Sequence, residues 1–183
     1  YGRCSVGIVT NIDRDAENLE RWDVHPSGGE FFTTYRNTYR TQIDVVLRSG
    51  YSVLNACDEV VAELAELSDG EVIFFATDPA CPAMAAHLAE GQRGVFVRDG
   101  RITLASGRDE IRVCRLGDVP VIGKQKDPAT IANVLAAVAA GWALGLTQEV
   151  IGTGVKTFGL ELPDPAALLP QRAGKSPAAT ARN

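Results

Sequence analysis

The stretch Cys4–Trp22, CSVGIVTNIDRDAENLERW, changes abruptly from apolar to polar. Its first part holds a short apolar run, Val6–Val9, of the kind that forms a buried strand. Charged and amide side chains then follow closely: Asn11, Asp13, Arg14, Asp15, Glu17, Asn18, Glu20 and Arg21. A buried strand that ends in a carboxylate-rich loop is typical of an open α/β sheet with a site at its carboxyl edge. The stretch therefore predicts such a sheet and a candidate site after its first strand.

The bulk composition limits the class of protein. The chain has 183 residues, 45% of them hydrophobic, and a formal net charge of −5. This length fits one domain with a sizeable core, or one domain plus a tail. The negative charge argues against a nucleic acid or an anionic membrane as the main partner. The longest apolar run, Val134–Leu146, is shorter than the ~20 helical residues that span a bilayer.

The four cysteines are widely spaced, and His25 and His87 lie far apart in the sequence. This pattern argues against a zinc site and predicts reduced thiols in a cytoplasmic protein. We find no signal-peptide pattern at the amino terminus. The chain begins with Tyr1 rather than Met, so we expect a piece of a longer protein.

The pattern of the first half predicts several elements. Glu30–Thr41 has aromatic residues at a spacing of four, which favours a helix. Two β-rich runs, Ile43–Leu47 and Tyr51–Leu54, flank Arg48-Ser49-Gly50 and together predict a hairpin. Asp58 is placed to cap the helix that follows.

The middle of the chain predicts more strands. Glu71–Ala76 is a continuous β-branched and aromatic run, typical of a parallel strand that is buried on both faces. Three short strands follow at Arg93–Val97, Arg101–Ala105 and Glu110–Leu116, and a turn at Asp99-Gly100 joins the first two. We therefore expect an α/β domain with a mostly parallel sheet, flanking helices and a small antiparallel portion.

The clearest predicted helix begins at Asp127-Pro128 and ends at Gly145. Its apolar residues recur at helical spacing: Ile131, Val134, Leu135, Val138, Trp142 and Leu146. Asn133 is a polar residue on or beside this apolar stripe, so it could face a ligand or simply solvent. Thr147 caps a second helix to about Phe158. We expect a domain over residues 1–158 and a proline-rich, mobile tail over residues 159–183.

Most candidate site residues have an ordinary alternative. The acidic cluster Asp13, Asp15 and Glu17 could bind Mg²⁺, although composition alone favours a solvated, charged loop. Asp58 fits a helix cap better than an acid. No phosphate-binding glycine motif is present, because Gly152-Thr153-Gly154 lies between helical residues and not after a strand.

Several short stretches match a known family: Val9–Ile12, Leu19–Val24, Asp44–Leu47, Gly50–Ala56, Asn133–Ala140, Gly141–Gly145 and Thr157-Phe158. In this order they resemble the Mur-ligase-like module of cyanophycin synthetases over about residues 1–158. Mur ligases are ATP-dependent amide ligases that activate a carboxylate as an acyl phosphate. The resemblance implies the second half of a Mur-ligase central domain, ATP and Mg²⁺ as cofactors, and amide-bond formation in an Asp–Arg polymer.

The departures from this family concern its site residues. The family's phosphate loop lies upstream of where this chain begins. Glu17 and Asn18 stand where the family has Asp and a metal-binding His, and an amide is a poor metal ligand. Asn37 stands near the position of a family lysine, and the sequence has no lysine between Tyr1 and Arg115. The metal positions Glu17, Asn18 and Asn37 are thus expected to be vacant.

The resemblance also implies a base-binding position. Asn133 matches a family asparagine near the adenine, and Thr130 lies three residues before it. The family's closing carboxyl-terminal domain has no counterpart in the tail. With no phosphate loop, no His or Lys ligand and no closing domain, we expect no catalytic residue here and no independent ligase activity.

Three functions remain open from the sequence. The chain could be a non-catalytic structural or assembly lobe of a cyanophycin synthetase-type ligase. It could instead be a catalytic part of an intact synthetase in which Asp13, Asp15 and Glu17 hold the metal, or a plain nucleotide-binding module. Expected partners are an upstream ATP-grasp module or synthetase subunits. Without the family's strand that leads into the phosphate loop, the sheet is expected to have an open edge. Such an edge favours homo-oligomers, because a second copy can pair with it.

Overall fold

The computed structural model describes residues 2–12, 39–123 and 127–160, and these residues form a six-stranded sheet between helices. The strands are β1 Cys4–Val9, β2 Val46–Asn55, β3 Glu71–Ala76, β4 Arg93–Arg98, β5 Arg101–Ser106 and β6 Asp109–Arg115. They lie in the order of the sequence. The first four are parallel, and β5 and β6 continue the sheet antiparallel. The predicted α/β fold with a small antiparallel portion is confirmed.

The helices are α1 Glu59–Glu63, α2 Pro82–Ala89, α3 Pro128–Ala143 and α4 Gln148–Thr157. A 3-10 turn, Leu64–Leu67, continues α1, and two more lie at Leu116–Asp118 and Pro120–Ile122. Residues 39–44 are also helical. Every helix in the described ranges is too short or too polar to cross a membrane.

The sheet separates two apolar layers because successive side chains of a strand point to opposite faces. Phe74 and Phe75 of β3 illustrate the division, since each is buried in a different layer. Helices α3 and α4 cover the layer of Phe75, while α1 and α2 cover the layer of Phe74. Strand β3 is therefore a parallel strand that is buried on both faces, as its sequence predicted.

Helix α3 forms as predicted. Asp127 caps its amino end by accepting a hydrogen bond from the Thr130 backbone N–H at 2.9 Å. Its apolar stripe from Ile131 to Trp142 packs across the central strands, whereas Leu146 lies beyond the helix and is exposed. Gly145, at a φ of 79°, supplies the left-handed residue that ends the helix.

The predicted hairpin at Arg48-Ser49-Gly50 is wrong. Ile43 belongs to the helical residues, and β2 runs without a turn from Val46 to Asn55. Strand β1 pairs with β2 on both sides of Arg48-Ser49-Gly50, and the register shifts between them. Gly50 stands where the two chains approach closely, because a Cβ there would lie 2.6 Å from the Ser5 carbonyl oxygen. The glycine permits a close backbone approach within the sheet rather than a turn.

Some predictions fall outside the described residues. Of the predicted helix Glu30–Thr41, residues 30–38 are not described, and residues 39–41 are helical. The predicted tail lies outside the description beyond Leu160. Within the described ranges, β1 pairs only with β2 and forms one edge of the sheet. Association through that edge stays a prediction.

Candidate functional site

A cleft of about 390 Å³ lies where the carboxyl ends of β1, β2 and β3 meet the amino end of α3. Its lining residues are Thr10, Asn11, Asn55, Cys57, Thr77, Pro128, Ala129, Ala132 and Asn133. We call it the polar cleft. It occupies the edge of the sheet at which the sequence predicted a site, which is where open α/β sheets bind ligands.

Asn55 holds two walls of the polar cleft together. Its side-chain Nδ2 donates to the carbonyl oxygen of Thr10 at 2.8 Å, which ties the end of β2 to the end of β1. Its Oδ1 accepts from the backbone N–H of Cys57 at 3.0 Å and shapes the turn toward α1. Both ends of this amide are therefore occupied by the protein's own backbone.

Asp58, just beyond the polar cleft, serves the fold. Its Oδ1 accepts from the backbone N–H groups of Val60 and Val61 at 3.1 and 3.2 Å and caps α1. Its Oδ2 accepts from the backbone N–H of Ile12 at 3.1 Å. The prediction that Asp58 is a helix cap is confirmed.

The described part of the polar cleft does not fit a Mg²⁺ site. Mg²⁺ is usually held through one or two carboxylates. The side chains that line the polar cleft are all neutral hydroxyl, amide, thiol or apolar groups. No group of three or more His, Cys, Asp or Glu residues within the described ranges is arranged to hold a metal ion.

A second, mainly apolar cavity of about 580 Å³ lies on the other side of Asn133. Helix α3, helix α4 and the segment around the turn Pro120–Ile122 enclose it, and its lining residues are Val119, Val121, Thr130, Asn133, Val134, Ala137, Gly154, Val155 and Phe158. We call it the apolar cavity. An open space of this size lined by aliphatic side chains and a few polar groups is typical of a small-molecule site.

Asn133 lies between the two spaces, because it lines both of them. Its side chain is exposed, and no hydrogen bond joins its amide to another described residue. An amide offers one acceptor and two donors. Among the described residues, the Asn133 amide therefore has no hydrogen-bond partner, and it lines the apolar cavity.

Thr130 also lines the apolar cavity, but its hydroxyl already has a partner. The hydroxyl donates to the Asp127 carboxylate at 2.8 Å, beside the hydrogen bond from the Thr130 backbone N–H. These two hydrogen bonds hold the pKa of Asp127 below its ordinary value. Thr130 therefore belongs to the cap of α3 as well as to the cavity wall.

Comparison with known proteins identifies the relatives of this chain. No family model matches the sequence. A cyanophycin synthetase of Synechocystis sp. is 31% identical over 160 residues, which cover 86% of this chain. A UDP-N-acetylmuramate–L-alanine ligase of Xylella fastidiosa is 29% identical over 84% of this chain. The chain is a homologue of cyanophycin synthetases and Mur ligases.

The fold agrees with this homology. The crystal structure of MurF from Acinetobacter baumannii matches 84% of this chain with a TM-score of 0.54 and 19% sequence identity. The six-stranded sheet and its helices are thus the α/β fold of a Mur-ligase central domain. The Mur-ligase-like chain spans 17% of the length of the Synechocystis cyanophycin synthetase, 28% of the Xylella ligase and 29% of the MurF chain.

The predicted site residues of this Mur-ligase-like chain divide into two groups. The structure brings Thr130 and Asn133 to the wall of the apolar cavity. The predicted metal positions Glu17, Asn18 and Asn37 lie outside the described residues. Gly152-Thr153-Gly154 lies within α4, as its sequence context indicated.

Sequence reasoning missed Asn55 and Thr77 as parts of the polar cleft. The predicted β-rich run ends at Leu54, whereas β2 extends to Asn55. Thr77 follows the buried end of β3 directly. A polar residue at the carboxyl end of an apolar run, as at Thr10 after β1, is the signal that finds both residues.

Proposed function

We propose that this chain is the Mur-ligase-like part of a cyanophycin synthetase-type ATP-dependent amide ligase, and that it serves there as a non-catalytic structural or assembly lobe. We assign residues 1–158 to this lobe and residues 159–183 to a separate tail. The expected partners are an upstream ATP-grasp module and further copies of the synthetase, and the expected location is the cytoplasm. ATP and Mg²⁺ belong to the family, and we expect this chain alone to bind no Mg²⁺–ATP.

The observation that carries the proposal is the neutral lining of the polar cleft. Transfer of a phosphoryl group needs positive charge on the phosphates, which ligases supply through metal ions and lysine. The described cleft has amide and hydroxyl groups at the strand ends. The carboxylate of Asp58, which follows the lining residue Cys57, is already bonded to three backbone N–H groups. The absence of lysine between Tyr1 and Arg115 supports the same proposal.

The experiment that tests this proposal uses the full-length protein. We expect Glu17→Ala to leave each ligation step and the oligomeric state unchanged, because Glu17 holds no metal in this account. The rival account is a catalytic lobe in which Asp13, Asp15 and Glu17 bind Mg²⁺. In that case Glu17→Ala abolishes one ligation step while oligomers still form. Glu63→Ala, on an exposed surface of α1, is the matched control.

A second candidate function is nucleotide binding without catalysis. The amide of Asn133, which bonds no other described residue, lies beside the apolar cavity and favours this function, because a nucleobase combines an apolar face with a hydrogen-bonding edge. Asn133→Ala should then weaken binding of adenosine or AMP about 10-fold or more, as expected when a hydrogen bond to a buried ligand is lost. If Asn133→Ala leaves the affinity for adenine nucleotides unchanged, this second candidate is removed.

A further inference from the structure

Two of the four cysteines meet at the carboxyl edge of the sheet. Cys57 follows β2 and lines the polar cleft, whereas Cys81 precedes α2 as its N-cap residue. Both bind the carbonyl oxygen of Asp78. The Cys57 Sγ donates to it at 3.8 Å, and the backbone N–H of Cys81 donates to it at 3.4 Å. The shared acceptor brings the two cysteines together although 24 positions separate them in the sequence.

The two thiols lie against one another in different environments. The Cys57 thiol is close enough to that of Cys81 to raise the pKa of Cys81. Cys57 is exposed at the wall of the polar cleft, and Cys81 is half-buried. Burial, and then the neighbouring Cys57 thiol, raise the pKa of Cys81 to about 11. An oxidant therefore reaches Cys57 first, and Cys81 is positioned next to the product.

We propose that Cys57 and Cys81 form a reversible intramolecular disulfide in the wall of the polar cleft. With hydrogen peroxide as the oxidant, the Cys57 sulfur attacks one peroxide oxygen, and water leaves as the sulfenic acid forms. The Cys81 sulfur then attacks the Cys57 sulfur, and the hydroxyl group leaves as a second water with the thiol proton. Two thiols lose two electrons, and one peroxide is reduced to two waters.

The disulfide would join two segments that border the site. Cys57 belongs to the turn between β2 and α1, and Cys81 to the amino end of α2. The link would fix the turn that contributes Cys57 to the polar cleft. Cys4 in β1 and Cys114 in β6 lie on other elements, and Cys114 is buried. The proposal needs no nucleotide or metal, so it stands apart from the proposed function.

The test is oxidation of the full chain followed by mapping of its cysteines. The reduced protein is treated with a small excess of hydrogen peroxide, and free thiols are labelled with a maleimide. Two of the four thiols should become unreactive, and dithiothreitol should restore both. A glutamate-specific protease can cut between the two cysteines after Glu59, Glu63, Glu66 and Glu71. Digestion should therefore yield one linked pair of fragments that contains Cys57 and Cys81.

Serine variants of the four cysteines test which two residues form the disulfide. Cys57→Ser and Cys81→Ser should each abolish the link, whereas Cys4→Ser and Cys114→Ser should retain it. The proposal is overturned if the wild-type product is a disulfide between different cysteines or between two chains. It is also overturned if Cys57 is oxidised to a sulfinic acid while Cys81 stays a free thiol.

Discussion

The carboxylate of Asp58 accepts a hydrogen bond from the backbone N–H of Ile12 at 3.1 Å, across 46 positions of the sequence. The same carboxylate caps α1 through Val60 and Val61. One side chain thus joins the segment after β1 to the helix that follows β2. A carboxylate at the edge of the candidate site holds that edge in shape.

Asp58→Ala should lower the free energy of unfolding by about 2 kcal/mol, because it removes a helix cap and leaves the Ile12 N–H without its partner. Urea unfolding followed by circular dichroism measures the change. Asp58→Asn is the matched comparison, because its single amide oxygen can still cap α1 while its NH2 group cannot accept from the Ile12 N–H. The loss in Asp58→Asn should therefore be smaller than in Asp58→Ala, and equal losses in the two variants would contradict a contribution from the helix cap.

Gly50→Ala should destabilise the chain by about 2 kcal/mol, because the added Cβ meets the Ser5 carbonyl oxygen at 2.6 Å and the pairing of β1 with β2 must shift. Gly154→Ala is the control. A Cβ at Gly154 in α4 meets nothing within 4 Å, and alanine there should stabilise by about 0.5–1 kcal/mol. Thermal or urea unfolding measures both changes, and a neutral Gly50→Ala would contradict the close approach of the two strands.

The pH dependence of stability should contain a contribution from His87. Burial lowers the pKa of His87 below its ordinary 6.5, although Val72 and Arg93 carbonyl oxygens near its Nε2 oppose the shift. The unfolded chain binds the proton more readily, so this contribution is present above about pH 6.5 and is lost as the pH falls through the folded pKa.

The difference between the wild type and His87→Gln isolates this contribution. Glutamine can still donate to the two carbonyl oxygens but does not titrate. Urea unfolding at about pH 7.5 and about pH 5 should show a larger acid loss in the wild type. Parallel pH profiles in the two proteins would contradict the lowered pKa, and NMR titration of the His87 ring would measure it directly.

Local sequence patterns predicted most of the fold. The apolar stripe from Ile131 to Trp142 and the run Glu71–Ala76 each specify an element by themselves, because their periodicity and propensity agree. The segment Arg48-Ser49-Gly50 has the local pattern of a turn, since glycine and serine between β-rich runs favour one. Glycine is needed at position 50 for a non-local reason, because the Ser5 backbone of β1 leaves no room for a Cβ there.

The candidate site was predictable only in part. Asn133 stood out because it is a polar residue next to an apolar stripe, and it lines both cavities. The apolar cavity itself arises where Val121, Val155 and Phe158 meet, and no local pattern brings those three residues together. The meeting of Cys57 with Cys81 likewise depends on the parallel order of β2 and β3.

The most direct test of the non-catalytic account is the affinity of the chain for ATP, measured by isothermal titration calorimetry with and without Mg²⁺. The account predicts no Mg²⁺-dependent binding, because the described cleft offers only neutral ligands. AMP, which lacks the β- and γ-phosphates of ATP, is the control ligand. It tests the second candidate function, in which Asn133 binds the base and no metal is needed. A sub-millimolar affinity for ATP that requires Mg²⁺ would contradict the account.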